Sequence, residues 1–437
     1  MASEIRVNTF KNRSGLGTVS INDSGASFSG VVTATSFSGD LTGNVTGNLT
    51  GNVTGNATGL SGSPTLTGIT SISTTNLTVN GNAYPNAGPL SNRNLIINGA
   101  MQVAQRGTSS TSNGYQTVDR WINQFSGGAV TQSQQSLSSG DPYNEGFRYF
   151  LRLANTTSST DVASYREIAT RIEAQNLAQS GWQYTSSASY ITVSFWARSS
   201  VEQTYYLNLQ SEDGTKQTYP SSFALSAETW TKISKTIPGN SSITINNDNG
   251  IGMYLSIIPF YGTNYTDSGV TDNSWNARAT GTQLPDMTNT WAGTTNATFD
   301  VTGVQLEVGS VATPFEHRSY GDELARCQRY YYRLSADSGR TFCVGYNQNT
   351  TVTRNIIHFP VTMRSAPTAL EQTGTASNYR ILTGTTATSC SAVPTLNSTT
   401  VGTGEIQATV ASGLTAGQGN CLESNASGTY LGFTAEL

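Results

Sequence analysis

Charge is scarce in this 437-residue chain. Only 11% of its residues are Asp, Glu, Lys or Arg, the formal net charge is −4, and lysine occurs only at Lys11, Lys216, Lys232 and Lys235. Without a basic field no nucleic-acid partner is expected, and without polybasic clusters there is none of the attraction that anionic membranes exert. Long apolar runs are missing as well. No stretch approaches the roughly 20 apolar residues of a transmembrane helix, and the N-terminal MASEIRVNTFKNRSG lacks the apolar core of a signal peptide. Synthesis in a cytoplasm is therefore expected. Cys327, Cys343, Cys390 and Cys421 form neither a C-x-x-C pair nor a dense disulfide scaffold. Buried free thiols are expected, with a Cys390–Cys421 bridge as the alternative.

Glycine, threonine, serine, asparagine and tyrosine fill the space that charge leaves. With 44 glycines and 9% aromatics, the composition is that of a turn-rich, all-β protein. Its most ordered stretch is GDLTGNVTGNLTGNVTGNATG, from Gly39 to Gly59. Glycine returns every fourth residue, and Leu41, Val45, Leu49, Val53 and Ala57 return in the same phase. A helix would pay about 1 kcal/mol for each glycine, and a repeat of four would drift around its axis. Collagen needs a period of three. An extended chain instead sets an apolar-glycine face against an Asn-Thr face, and a single thin strand cannot bury the first of these. Copies of the chain can, so the stretch implies an interchain β shaft. A disordered Gly/Ser/Thr linker is the competing reading, but it has no need of register.

Four regions follow from the pattern: residues 1–24, the shaft at 25–92, and then 93–321 and 322–437. Short strands with period-two alternation recur through the third region. They fall at Asn94–Val103, Arg120–Phe125, Ala129–Ser136, Arg148–Ala154, Tyr165–Glu173, Tyr190–Arg198, Thr204–Leu209, Trp230–Ile237, Ile251–Phe260 and Phe299–Val308. That number of strands without a sustained helical pattern implies a jelly-roll β-sandwich. A short helix is expected at Asp322–Arg329, with acids in its first turn. Beyond it lies a small β-domain of strands at Tyr330–Leu334, Arg340–Tyr346, Asn355–Pro360, Arg380–Leu382, Ile406–Ala411 and Tyr430–Ala435, with a core small enough to call for partner chains.

Several of these segments resemble a known family. NLIINGAMQVAQRG (94–107), VDRW (118–121) and VTGVQLEVGSVATPFEHRSYGDELARCQRYYY (301–332) resemble a domain of bacteriophage tail fibres. EIRVNTFKNRSG and the tetrad repeat are similar to the attachment and shaft parts of such fibres, particularly in phages of cyanobacteria and marine bacteria. SYITVSFWARS and AETWTKISKTI resemble strands of carbohydrate-binding-module jelly rolls, and IIHFPVTMRSAPTAL (356–370) is similar to fibre tips. The resemblance covers most of residues 1–335. It implies an elongated homotrimer in the virion tail, held through residues 1–24 by a tail or baseplate protein, with its far end on a host-surface glycan or outer-membrane component. Many such fibres end in a self-cleaving chaperone with a Ser-Lys pair. No lysine follows Lys235 here, so autoproteolysis is not expected.

Catalysis finds little footing. Glycoside cleavage needs two carboxylates about 5 to 9.5 Å apart, whereas Asp141/Glu145, Glu167/Glu173, Glu202/Glu212/Asp213 and Asp267/Asp272 read as scattered loop and edge charges. Asp-Ser-Gly at 23–25, 267–269 and 337–339 sits among turn residues, with no G-x-S-x-G. No cofactor is expected, and a structural Ca²⁺ held by loop oxygens has no locus in the pattern. The expected activity is binding, with a fibre-borne polysaccharide depolymerase and a structural spacer carrying a separate adhesin as alternatives. Sugar C–H faces stack on aromatic rings. The loop aromatics Trp182, Trp275, Trp291, Tyr261 and Tyr265 are therefore contact candidates, as are Tyr346, Tyr379 and Arg380 towards the C-terminus. Trp121, Trp196 and Trp230 are assigned to the core. The segment 378–404, rich in Thr and Ser, reads as an irregular recognition loop.

Overall fold

The computed structural model describes residues 91–437 throughout, together with short backbone strands before them. The chain divides into two compact units, Met1–Ile72 and Ser73–Leu437. In the first, strands Thr9–Lys11, Gly17–Asn22 and Gly25–Phe28 form a three-stranded antiparallel sheet, pairing Phe10 with Val19 and Val19 with Phe28. The shaft positions Leu41, Val45, Leu49, Val53 and Ala57 lie outside the described residues.

The second unit is all-β, as its composition requires. Two six-stranded antiparallel sheets pack face to face. One runs in the order Asn276–Ala277, Gln217–Leu225, Gln203–Ser211, Ile251–Tyr261, Tyr165–Glu173, Ile122–Ser126. The other runs Thr231–Pro238, Tyr190–Ser199, Thr298–Val308, Tyr149–Thr157, Ala129–Ser136, Ser109–Ser110. Alternation explains the core between them. Ile168, Leu207, Leu255, Phe195 and Phe299 point inward and are wholly or almost wholly buried, and the residues between them point outward.

The strand expected at Asn94–Val103 does not form. Strand Tyr149–Thr157 covers only the first half of Thr298–Val308, up to Val301. Residues 94–99 take over beyond it: Leu95 donates to the Leu306 carbonyl at 2.9 Å, and Val304 donates to that of Gly99 at 3.0 Å. A Cβ on Gly99 would stand 2.0 Å from the Val304 oxygen, so only glycine fits there. The chain then turns at Asn98, with φ 58°, and Met101, with φ 57°. The most specific resemblance segments meet at this turn. Asn98 bonds both main-chain groups of Val103 and the Asp119 carbonyl, Trp121 donates to the Asn98 carbonyl, and Glu323 accepts from the Asn98 N–H.

The helix runs from Tyr320 to Gln328, two residues earlier than expected, because Ser319 caps it by accepting from the Asp322 N–H. After it comes a closed six-stranded barrel in the order Thr341–Asn347, Val352–His358, Thr403–Val410, Thr386–Thr399, Tyr379–Thr383, Gly419–Ser424. Tyr331–Ala336, Thr429–Thr434 and Leu370–Gln372 form a three-stranded sheet beside it. Closure pairs all six barrel strands within one chain, where the small core was expected to call for partner chains. The segment 378–404 is accordingly not an irregular loop but two paired strands. Glu173 of the sandwich holds the segment between the helix and Tyr331–Ala336, accepting from Arg329 at 2.9 and 3.0 Å and from the Tyr330 hydroxyl at 2.5 Å. The four cysteines are free thiols, three of them buried, and Cys390 and Cys421 are not bridged.

Candidate functional site

The outward face of the sheet containing Tyr165–Glu173, Ile251–Tyr261 and Gln203–Ser211 carries a groove of about 380 Å³. That is large enough for a ligand of several rings' extent. Strand alternation supplies its floor. While Ile168, Met253, Leu255, Leu207 and Leu209 face the core, Glu167, Tyr254, Ser256, Asn208 and Gln210 face the groove. The register slips between Arg166 and Ile168, opposite Ile258 and Pro259, and this bulge lies beside Glu167.

Three tyrosines close one end. The rings of Tyr165 and Tyr265 are 5.4 Å apart, those of Tyr261 and Tyr265 5.6 Å, and those of Tyr165 and Tyr261 6.2 Å. Tyr165 and Tyr265 are half-buried, leaving ring surface towards the groove, whereas Tyr261 is buried. Gln283 stands beside them, its N–H donating to the Tyr265 carbonyl at 3.1 Å, and Arg278, Arg171, Glu212 and Lys216 also line the groove. The Glu212 carboxylate is paired with Lys216.

Glu167 is the unusual member. It is 3% exposed and faces the hydroxyls of Ser256, Tyr261 and Tyr254. Burial holds the Glu167 pKa above the ordinary carboxylate value, although the hydroxyls of Ser256, Tyr261 and Tyr254 and the charge of Arg171 pull the other way. Burial, and after it the Glu167 charge, pushes the Tyr254 and Tyr261 phenols well above their usual range, so both remain O–H donors. Burying a carboxylate costs stability even where hydroxyls donate to it.

A test of that cost is Glu167→Gln. A carboxyl whose folded pKa is raised favours folding below its unfolded value and loses that contribution as the pH rises through the folded value. The variant is therefore expected to be more stable than wild type at pH 7, by about 0.5 to 2 kcal/mol. The gain should vanish near pH 4, where Glu167 is protonated. Thermal melts at the two pH values measure it, and a variant less stable at pH 7 would contradict the assignment.

The sequence candidates scatter. Tyr261 and Tyr265 belong to the groove. Trp291 is fully buried, with its indole N–H on the Thr298 carbonyl at 3.0 Å, and Trp182 is buried against the Ser189 carbonyl. Trp275 is half-buried, bonded to the Pro238 carbonyl at 2.7 Å and packed on Tyr219. The expectation of exposed loop tryptophans fails because the open ends of the sandwich need large side chains to close them. Trp121 and Trp196 are buried as assigned, and Trp230 is half-buried. Tyr379 is fully buried in the barrel, donating to the Tyr430 carbonyl, and Arg380 is held by Glu423 at 2.8 Å. Tyr346 alone of the distal candidates is exposed, at 51%.

The acidic sets are likewise dispersed. Glu145 pairs with Lys232, Asp213 holds Asn246, and Asp272 holds Ser222. His317 lies between Phe147 and Phe315 and bonds the Glu145 carbonyl, far away in sequence rather than local. Among the described residues no cluster of His, Cys, Asp and Glu suits a metal ion.

No family model and no curated protein matches the chain. Solved structures do align with it, at low identity. One holds the CBM22-1 and GH10 modules of endo-1,4-beta-D-xylanase 10B from Clostridium thermocellum complexed with xylohexaose, at 11% identity and a TM-score of 0.24, over 49% of this chain and 30% of that one. Another is the N-terminal cellulose-binding domain of beta-1,4-glucanase C from Cellulomonas fimi, at 10% identity and a TM-score of 0.25, over 48% of this chain and 99% of that one. A third, described as a CBM4 structure, has 11% identity and a TM-score of 0.25, over 48% of this chain and 97% of that one.

Proposed function

We propose that this chain is a tail-fibre protein that binds a host-surface polysaccharide in the sandwich groove without cleaving it. The observation that carries the glycan reading is the pairing of half-buried tyrosine rings with partly exposed polar side chains, Gln124 and Arg278 among them, on one sheet face. Rings receive the C–H faces of sugars, and the polar side chains exchange hydrogen bonds with their oxygens. The fibre reading rests on the resemblance of residues 1–59, 94–121 and 301–332. In it the N-terminal segment is held by a tail or baseplate protein, and the shaft joins three copies.

Binding is preferred to hydrolysis on geometry. Glu167 lies opposite Ile258, and the Glu212 N–H bonds the Gly252 carbonyl, six residues away along the same strand. At about 3.3 Å per residue their backbones are roughly 20 Å apart, and the Glu212 carboxylate is engaged by Lys216, which argues against a glycosidase pair.

The experiment is affinity electrophoresis of the intact protein through gels containing polysaccharide from a susceptible host. Wild type should be retarded and release no reducing ends. Tyr165→Ala with Tyr265→Ala should weaken binding roughly tenfold, the scale of one or two lost stacking contacts. A folded double variant that binds as well as wild type, or sustained release of reducing ends, would overturn the reading.

A further inference from the structure

Resting on that reading, we infer that the groove selects anionic sugars, with Arg278 receiving the ligand's carboxylate or sulfate. Of the charged side chains lining it, Glu212 is neutralised by Lys216. Arg171 acts on Glu167 and also holds the main-chain oxygen of Leu437. Arg278 has no carboxylate partner among the described residues. Its Nη2 makes one long bond, 3.4 Å, to Gln283, and its Nε is buried with no acceptor. The main chain fixes its position, since the Arg278 N–H donates to the Lys216 carbonyl at 3.0 Å.

A guanidinium held in place with its donors unused is a receptor for a planar or tetrahedral oxyanion, which it binds through parallel N–H groups. The Arg278 side chain reaches Gln283, whose N–H donates to the Tyr265 carbonyl at 3.1 Å, so its guanidinium is directed towards the aromatic end of the groove. A uronate or sulfated sugar stacked on Tyr265 would carry its anionic group towards Arg278 and its ring hydroxyls towards the amides lining the groove. The division of labour is chemical. Amides exchange hydrogen bonds with hydroxyls, which any sugar offers, and Arg278 takes an anion, which only some sugars have. With a net charge of −4, the chain has no long-range field to gather acidic polymers, so selection has to be made locally at this residue.

The test compares polygalacturonate, alginate and κ-carrageenan with their carboxyl-reduced or desulfated counterparts, using the intact protein in affinity electrophoresis. At least one anionic polymer is expected to bind roughly 10- to 100-fold more tightly than its neutral form, the range for hydrogen bonds to a charged group. The carboxylate and sulfate arms show which anion is read. Arg278→Gln should erase that ratio and Arg278→Lys restore part of it, with thermal melts confirming that both fold. Equal binding of anionic and neutral forms, or a ratio that survives Arg278→Gln, overturns this inference alone. Binding of neither class overturns it together with the groove's assignment to glycans.

Discussion

Asn98→Ala is expected to cost on the order of 4 kcal/mol, a large share of the 5 to 15 that a domain has. The side chain is fully buried and makes three hydrogen bonds. Its amide donates to the carbonyls of Val103 at 2.8 Å and Asp119 at 2.9 Å, and its oxygen accepts from the Val103 N–H at 3.0 Å. Alanine strands three buried partners, each worth about 1 to 3 kcal/mol when left unpaired. It also has to adopt φ 58°, which costs a residue with a Cβ about 1 kcal/mol more than glycine. Asn98→Gly should therefore lose less than Asn98→Ala by about that amount, separating the hydrogen-bond loss from the backbone strain. Urea unfolding of the three proteins measures both differences. Wild-type stability in the alanine variant would show that this turn does not organise the sandwich.

The second large effect concerns assembly. Leu49→Asp with Val53→Asp is expected to turn a trimer into a monomer. The tetrad phase assigns both positions to the face that only other copies can bury, and two carboxylates per chain would enter that contact without partners. In the proposed trimer, three linked grooves would bind a polymer with an avidity that can exceed the single-site affinity by about 10² to 10⁴. The variant should accordingly lose adsorption to host cells while each groove keeps its intrinsic affinity for short oligosaccharides. Sedimentation equilibrium decides the first point. A monomeric wild type, or a double variant that is still trimeric, would sink the shaft argument.

Sequence pattern revealed the sandwich strands because their core positions are large and alternate. Ile191, Val193, Phe195 and Ala197 mark Tyr190–Ser199 without ambiguity. The strands that escaped lack that signal. Gln217–Leu225 contains Pro220, which a strand tolerates here because the neighbouring Asn276–Ala277 pairs only with Gln217 and Thr218. Thr386–Thr399 is built of small polar residues and shifts register three times, so it has neither apolar contrast nor a steady period. The groove was half visible. Tyr261 and Tyr265 stood out in a Gly- and Asn-rich stretch, whereas Tyr165, Glu167, Arg171 and Tyr254 become a site only when two non-consecutive strands lie side by side. Their outward phase within strands of otherwise apolar inward residues was the signal available. Loop position misled for Trp182 and Trp291, since a loop that closes the end of a core buries its largest side chain.

The most direct measurement is hydrogen–deuterium exchange of the intact protein with and without host polysaccharide. Ligand in the groove should slow exchange in Tyr165–Glu173, Gln203–Ser211 and Ile251–Tyr261, and around Tyr265 and Arg278, and leave the barrel strands between Thr341 and Ser424 unchanged. Protection confined to the barrel, with the groove strands unaffected, would contradict the assignment of recognition to the sandwich.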